Sequence, residues 1–95
     1  MRLSGQEVRA IQAEVRSLDP EAEILLYGSR ADDAARGGDI DLLVITDKLG
    51  IRELLRLRRG ILDRIGWQQL DLVLRRRDQL NESLALAARE TGVRL

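Results

Sequence analysis

The sequence predicts a single small domain of the α/β (α+β) class, with its elements in the order α-β-β-α-β-α across residues 1–95. Three observations predict it. Apolar residues recur at helical spacing in three segments that end on stop signals. Three short aliphatic runs rich in Leu, Val and Ile alternate with them as strands do. A chain of 95 residues leaves room for one core only.

The first helix is announced by a capping box, Ser4 with Glu7, flanked by Leu3 and Val8 at the staple positions. Val8, Ile11, Val15 and Leu18 line one face, and Asp19-Pro20 stops the helix because the residue before proline is pushed out of the helical region. Ile24-Leu25-Leu26-Tyr27 reads as a buried strand ending at Gly28. Residues 28–38 are small and polar, with Ala31, Ala34 and Ala35 allowing one short helical turn before Gly37-Gly38. Asp39-Ile40-Asp41-Leu42-Leu43-Val44-Ile45 gives a second strand. Ile51, Leu54, Leu55, Arg58, Ile61, Leu62 and Ile65 predict a helix over about 49–65, with Arg58 the polar exception and Gly66 the stop. Leu70-Asp71-Leu72-Val73-Leu74 is the third strand. Leu80, Leu84, Ala87 and Ala88 mark a last helix ended by Thr91-Gly92, and Val93 and Leu95 are left to pack on the sheet.

Composition removes several kinds of chemistry. With neither cysteine nor histidine, the chain holds no disulfide, no thiolate or imidazole metal ligand and no histidine-dependent triad. Aromatics are 2% of residues, so no platform exists for stacking single-stranded bases. Charged residues are 34% and balance to a formal net charge of zero, which argues against nucleic acid as a partner. No apolar run approaches a membrane span or a secretory leader, so a cytoplasmic protein is expected. The charges are sorted, however. Seven acids lie between Asp19 and Asp41 and five arginines between Arg52 and Arg64, which suggests one face for a cation and another for a partner.

Three features share one explanation. Gly28-Ser29 directly after a strand lets main-chain N–H groups approach a phosphate, with the Ser29 hydroxyl as a further donor; an ordinary strand-end turn reads the same way. Asp39 and Asp41 sit at i and i+2 of a strand, on one side and roughly 6–7 Å apart, where a hard divalent cation such as Mg²⁺ or Mn²⁺ would remove their repulsion. Solvated aspartates at an open strand end are the plainer alternative. Asp71 is a lone acid in an apolar strand, costly unless it meets the same cation or lies on a partly exposed face.

Taken together, Leu26-Tyr27-Gly28-Ser29-Arg30, then Gly37-Gly38-Asp39-Ile40-Asp41-Leu42-Leu43-Val44, and a further strand aspartate at 71 resemble the nucleotidyltransferase superfamily that includes DNA polymerase β. Within it the chain is most similar to the short prokaryotic minimal nucleotidyltransferases, over about residues 22–75. The resemblance implies a mixed sheet backed by helices with the active site at an open edge. It implies that Asp39 and Asp41 hold Mg²⁺ ions and the triphosphate of ATP or another NTP, that Gly28 and Ser29 contact the β- and γ-phosphates, and that Asp71 assists the second metal and activates the acceptor hydroxyl. Arg30 either reaches a phosphate or is a solvated loop arginine. The resemblance further implies an antitoxin of a toxin–antitoxin pair, acting on a helical HEPN-type partner, and it leaves self-association open. A module that binds nucleotide or caps that partner without turnover is the alternative.

The chain departs from the superfamily pattern at Asp32-Asp33, which replace a common glycine and bring anions near the phosphate site, and at Gly38, where serine is common. Larger relatives also carry an acceptor-gripping domain, so acceptor choice is expected to come from a partner. Arg52, Arg56 and Arg59 form a stripe that is either solvated or a docking surface for an acidic partner or nucleic acid. Arg75-Arg76-Arg77 either meet substrate phosphates or make a polar connection, and Trp67 is expected at the rim of the core.

Overall fold

The computed structural model describes residues 1–34 and 38–95. Ala35, Arg36 and Gly37, and with them part of the turn expected before Asp39, lie outside the described residues. Helix α1 spans Gly5–Leu18, and its capping box is formed: Glu7 N donates to Ser4 Oγ at 3.0 Å and Ser4 N donates to Glu7 Oε1 at 2.9 Å. Strand β1 (Glu23–Tyr27) runs into a single 3-10 turn at Gly28–Ala31, and strand β2 (Ile40–Ile45) follows. Helix α2 (Ile51–Ile65) stops at Gly66, whose φ of 84° is open to glycine and whose N–H caps Leu62 O at 2.9 Å. Strand β3 (Leu70–Arg75), a 3-10 turn at Arg77–Gln79, helix α3 (Ser83–Thr91) and strand β4 (Val93–Arg94) complete the chain.

The sheet is mixed, in the order β3-β2-β1-β4, with β2 parallel to β3 and β1 antiparallel to both β2 and β4. The helix between β2 and β3 makes their parallel pairing possible. Alternation sorts the side chains onto two faces. Ile24, Leu26, Ile40, Leu42 and Val44 meet Ile11 and Val15 of α1 and Leu57 and Ile61 of α2. On the opposite face Leu25, Leu43 and Ile45 meet Ala85 and Ala88 of the much shorter α3. Asp41 and Asp71 share the parity of this second face, which α3 covers only in part.

Four sequence expectations are corrected. A fourth strand exists: Val93 and Arg94 pair with Leu26 and Leu25, and Arg94 forms an ion pair of 2.8 Å with Glu23. Helix α3 begins at Ser83, and Ala85 with Ala88 contacts the sheet while Ala87 is exposed; the small side chains at i and i+3 let the helix lie close. In α2 the buried residues are Leu57 and Ile61, whereas Ile51 and Leu55 are 70% and 64% exposed, because the helix carries a wider apolar arc than one sheet face can cover. Trp67 is 76% exposed, away from the core, with the Arg58 guanidinium 5.9 Å from its ring centre.

One polar contact ties α1 to the sheet. Asp19, the C-cap of α1, is buried, and its Oδ2 accepts the Thr46 hydroxyl at 2.5 Å while Oδ1 accepts Glu21 N at 3.0 Å. Thr46 Oγ1 in turn accepts Lys48 N and Leu49 N, so one hydroxyl organises the exit from β2. Thr46→Val is expected to destabilise the fold by about 2 kcal/mol, since a buried carboxylate loses its donor. A shift of the urea midpoint at unchanged slope measures it, and an unshifted midpoint refutes this role for Thr46.

Candidate active site

The site is assembled by strand register. Tyr27 of β1 lies opposite Asp41 of β2, and Asp41 lies beside Asp71 of β3, so the three form a row across adjacent strands on the face that α3 leaves open. The side chains of Asp41 and Asp71 lie side by side on one face, where two bare carboxylates repel unless a proton or a cation lies between them. Burial, then the contact with Asp71, then the charge of Asp39 push the Asp41 carboxyl up to about 6. The Tyr27 hydroxyl is raised as well, by burial and then by Asp41 and Asp71, with Arg75 opposing.

Asp39 stands one residue ahead of β2, exposed, near enough for its charge to act on Asp41. Among the described residues no group of three His, Cys, Asp or Glu side chains is gathered tightly enough to hold an ion unaided. The structure thus joins Asp41 to Asp71 and leaves Asp39 at the mouth. Two adjoining carboxylates, made only of hard oxygen donors, fit a Mg²⁺-type cation that takes its remaining ligands from water and phosphate.

Glycine is required at two points around this row. Gly28 has φ of 71°, and a methyl group added there would run into Asp41 Oδ2. Gly38 has φ of 93°, and a methyl group there would run into Ser29 Oγ. The loop after β1 is therefore pressed onto Asp41 at one end and under Gly38 at the other. Gly28 is exposed and Ser29 partly so, which leaves both accessible beside the carboxylates.

Arg30 is partly buried and hydrogen-bonded within the chain. Its guanidinium donates to Gly38 O at 3.2 Å, Arg2 O at 3.0 Å and Gln68 Oε1 at 3.4 Å, which stitches the loop to the chain start and to the turn before β3. Gln68 donates onward to Glu7 Oε2 at 2.9 Å, and Arg2 donates to Ser29 O at 2.8 Å. Asp32 and Asp33 are also engaged locally, Asp32 with Ala34 N at 2.9 Å and Asp33 with the Met1 ammonium. Each arginine of the 75–77 run pairs with a carboxylate: Arg75 with Glu82, Arg76 with Asp78 and Arg77 with Asp47. Sequence reading missed Tyr27 as a neighbour of the acids, although its parity one step before Gly28 carried the signal. Arg2 and Gln68 carried none, being distant in sequence and isolated in pattern.

A family model described as the nucleotidyltransferase domain matches residues 8–86, from within α1 into the first turn of α3. The chain belongs to the nucleotidyltransferase domain family. No curated protein matches it. A nucleotidyltransferase joins a nucleoside monophosphate to an acceptor.

The raised Asp41 carboxyl has a consequence for stability. A group whose folded affinity for protons exceeds its unfolded one stabilises the fold below its ordinary value of 3.8 and loses that contribution as pH rises through about 6. Discounted for solvent screening of a half-exposed group, the loss is about 1 kcal/mol. Asp41→Asn is expected to remove this slope and to raise the metal-free urea midpoint at pH 7. A variant no more stable than the parent at pH 7 contradicts the assigned repulsion.

Proposed function

We propose that this nucleotidyltransferase domain is Mg²⁺-dependent, with Mn²⁺ as a substitute, and transfers AMP from ATP to a hydroxyl group on a partner protein. The observation that carries this reading is the register that sets Asp41 beside Asp71, with Asp41 pressed against Gly28. Asp41, Asp71 and the nearby Asp39 would hold the cation, which when bound supplies charge neutralisation for the triphosphate and for the leaving pyrophosphate. The Gly28 main chain and Ser29 hydroxyl hold the β- and γ-phosphates, and Arg30, anchored to Gly38, keeps that loop in place.

In the transfer the acceptor oxygen attacks the α-phosphorus. A new P–O bond forms, the bond to the bridging oxygen breaks, and pyrophosphate leaves. The hydroxyl proton passes to a carboxylate oxygen of Asp71. No thiol or imidazole enters, in keeping with a chain that has neither.

The partner in this reading is a helical HEPN-type toxin in the cytoplasm, silenced by the added nucleotide. A second reading, a nucleotide-holding cap without turnover, draws on Asp39 standing outside the contact pair. Incubation with α-labelled ATP, Mg²⁺ and the partner separates them. Transfer of label to the partner is expected, lost by more than about a hundredfold in Asp41→Asn and in Asp71→Asn. Mg²⁺-dependent ATP binding without any label transfer leaves the cap, and transfer that survives both substitutions refutes the site.

A further inference from the structure

Strand β3 is an edge of the sheet, with no strand paired to its outer side among the described residues. Hydrogen bonds from Ile40 N to Gln69 O at 3.0 Å and from Thr46 N to Arg75 O at 2.9 Å set the phase of the parallel ladder. Odd-numbered residues of β3 bond to β2, and the main-chain groups of Leu70, Leu72 and Leu74 face outward. Two of these carbonyls are capped by arginines of the same chain. Arg58 Nε donates to Leu70 O at 3.3 Å, and the Arg75 guanidinium donates to Leu74 O at 2.8 Å. Between them the N–H and C=O of Leu72 have no partner among the described residues.

A groove follows this edge. One stretch of about 470 Å³ runs from Tyr27, Asp41 and Asp71 past Leu84, and reaches Leu54, Leu55 and Arg58 on the α2 side. A second of about 440 Å³ shares Leu54, Leu72 and Val73 with it and continues to Ile51, Arg75 and Thr46. The two adjoin along β3, and the first reaches the carboxylate pair. On its α2 rim stand Ile51 and Leu55, the apolar residues that the core leaves outside. Beside them by helical spacing are Arg52, Arg56 and Arg59, all exposed and without an ion pair among the described residues.

We propose that the free edge of β3 is the acceptor-docking site, and that the acceptor enters as an extended polypeptide segment added to the sheet beside Leu72. This rests on the transferase reading above and specifies the acceptor's chemistry. A strand laid on β3 presents alternate side chains to the two faces. A Ser, Thr or Tyr hydroxyl opposite Asp71 points to the carboxylate face, and its two neighbours point to Ile51, Leu54 and Leu55. The recognised pattern is therefore apolar–hydroxyl–apolar, with acidic residues at the flanks to meet Arg52, Arg56 and the displaced Arg58. A second copy of this chain fits poorly as occupant, since two arginine stripes would face each other across a symmetric pairing.

The test uses a peptide of alternating valine and threonine with an aspartate at each end. Saturating peptide is expected to slow exchange of the Leu72 amide at least tenfold. Ile51→Asp and Leu55→Asp are expected to weaken the peptide about tenfold with unchanged melting temperature, both residues being exposed. A peptide with the same side chains but N-methylated on alternate amides is expected not to dock. An unprotected Leu72 amide, or a methylated peptide that binds as tightly as its parent, overturns the proposal. The two readings fail separately. Docking without transfer of label from ATP to threonine sinks the transferase reading alone, and transfer to the protein partner unaffected by Ile51→Asp and Leu55→Asp sinks the groove alone.

Discussion

Two carboxylates on neighbouring parallel strands, set side by side by strand register, are the constraint on which this molecule turns. Asp41 and Asp71 are neighbours because β2 and β3 are paired in this register. Such a pair repels unless a proton or a cation lies between its oxygens. The fold accepts the repulsion at a place where α3 is too short to cover the sheet, so the charge stays within reach of water and ligand. A stability defect and an open face coincide, as they do where a site is kept ready for a cation.

The rest of the scaffold serves to hold that pair still. The Asp19–Thr46 contact fixes the far end of β2 against α1, and the ladder carries that rigidity along β2 to Asp41. At the near end the loop after β1 is clamped between Asp41 and Gly38, two points that admit only glycine. Arg30, Arg2 and Gln68 close the clamp from the other side with hydrogen bonds to main-chain oxygens and to one another. The turn at Gly28–Ala31 is thus held by hydrogen bonds that need no ligand.

Much of this was legible in the sequence, for reasons that are local. Ser4 with Glu7, the aliphatic runs before Gly28 and after Asp39, and Gly66 each act over a few residues, and each sits where its pattern places it. The parity of Asp41 and Asp71 was readable too, because alternation is strict once a strand is recognised. What escaped depends on tertiary partners. Val93 and Arg94 are too few to carry a period, and become a strand only because β1 has a free edge. The buried arc of α2 was misread since Leu57 and Leu55 are equally apolar, and only the position of the sheet chooses between them. Arg30 was undecidable, as its partners lie at residues 2, 38 and 68.

The claim that the carboxylate pair is a cation site is tested most directly by crystals grown with manganese and a non-hydrolysable ATP analogue. An anomalous peak bridging the carboxylates of Asp41 and Asp71, with the triphosphate under Gly28 and Ser29, is the predicted result. A well-ordered pair with no metal between its oxygens, or a manganese ion bound elsewhere with the nucleotide, contradicts it.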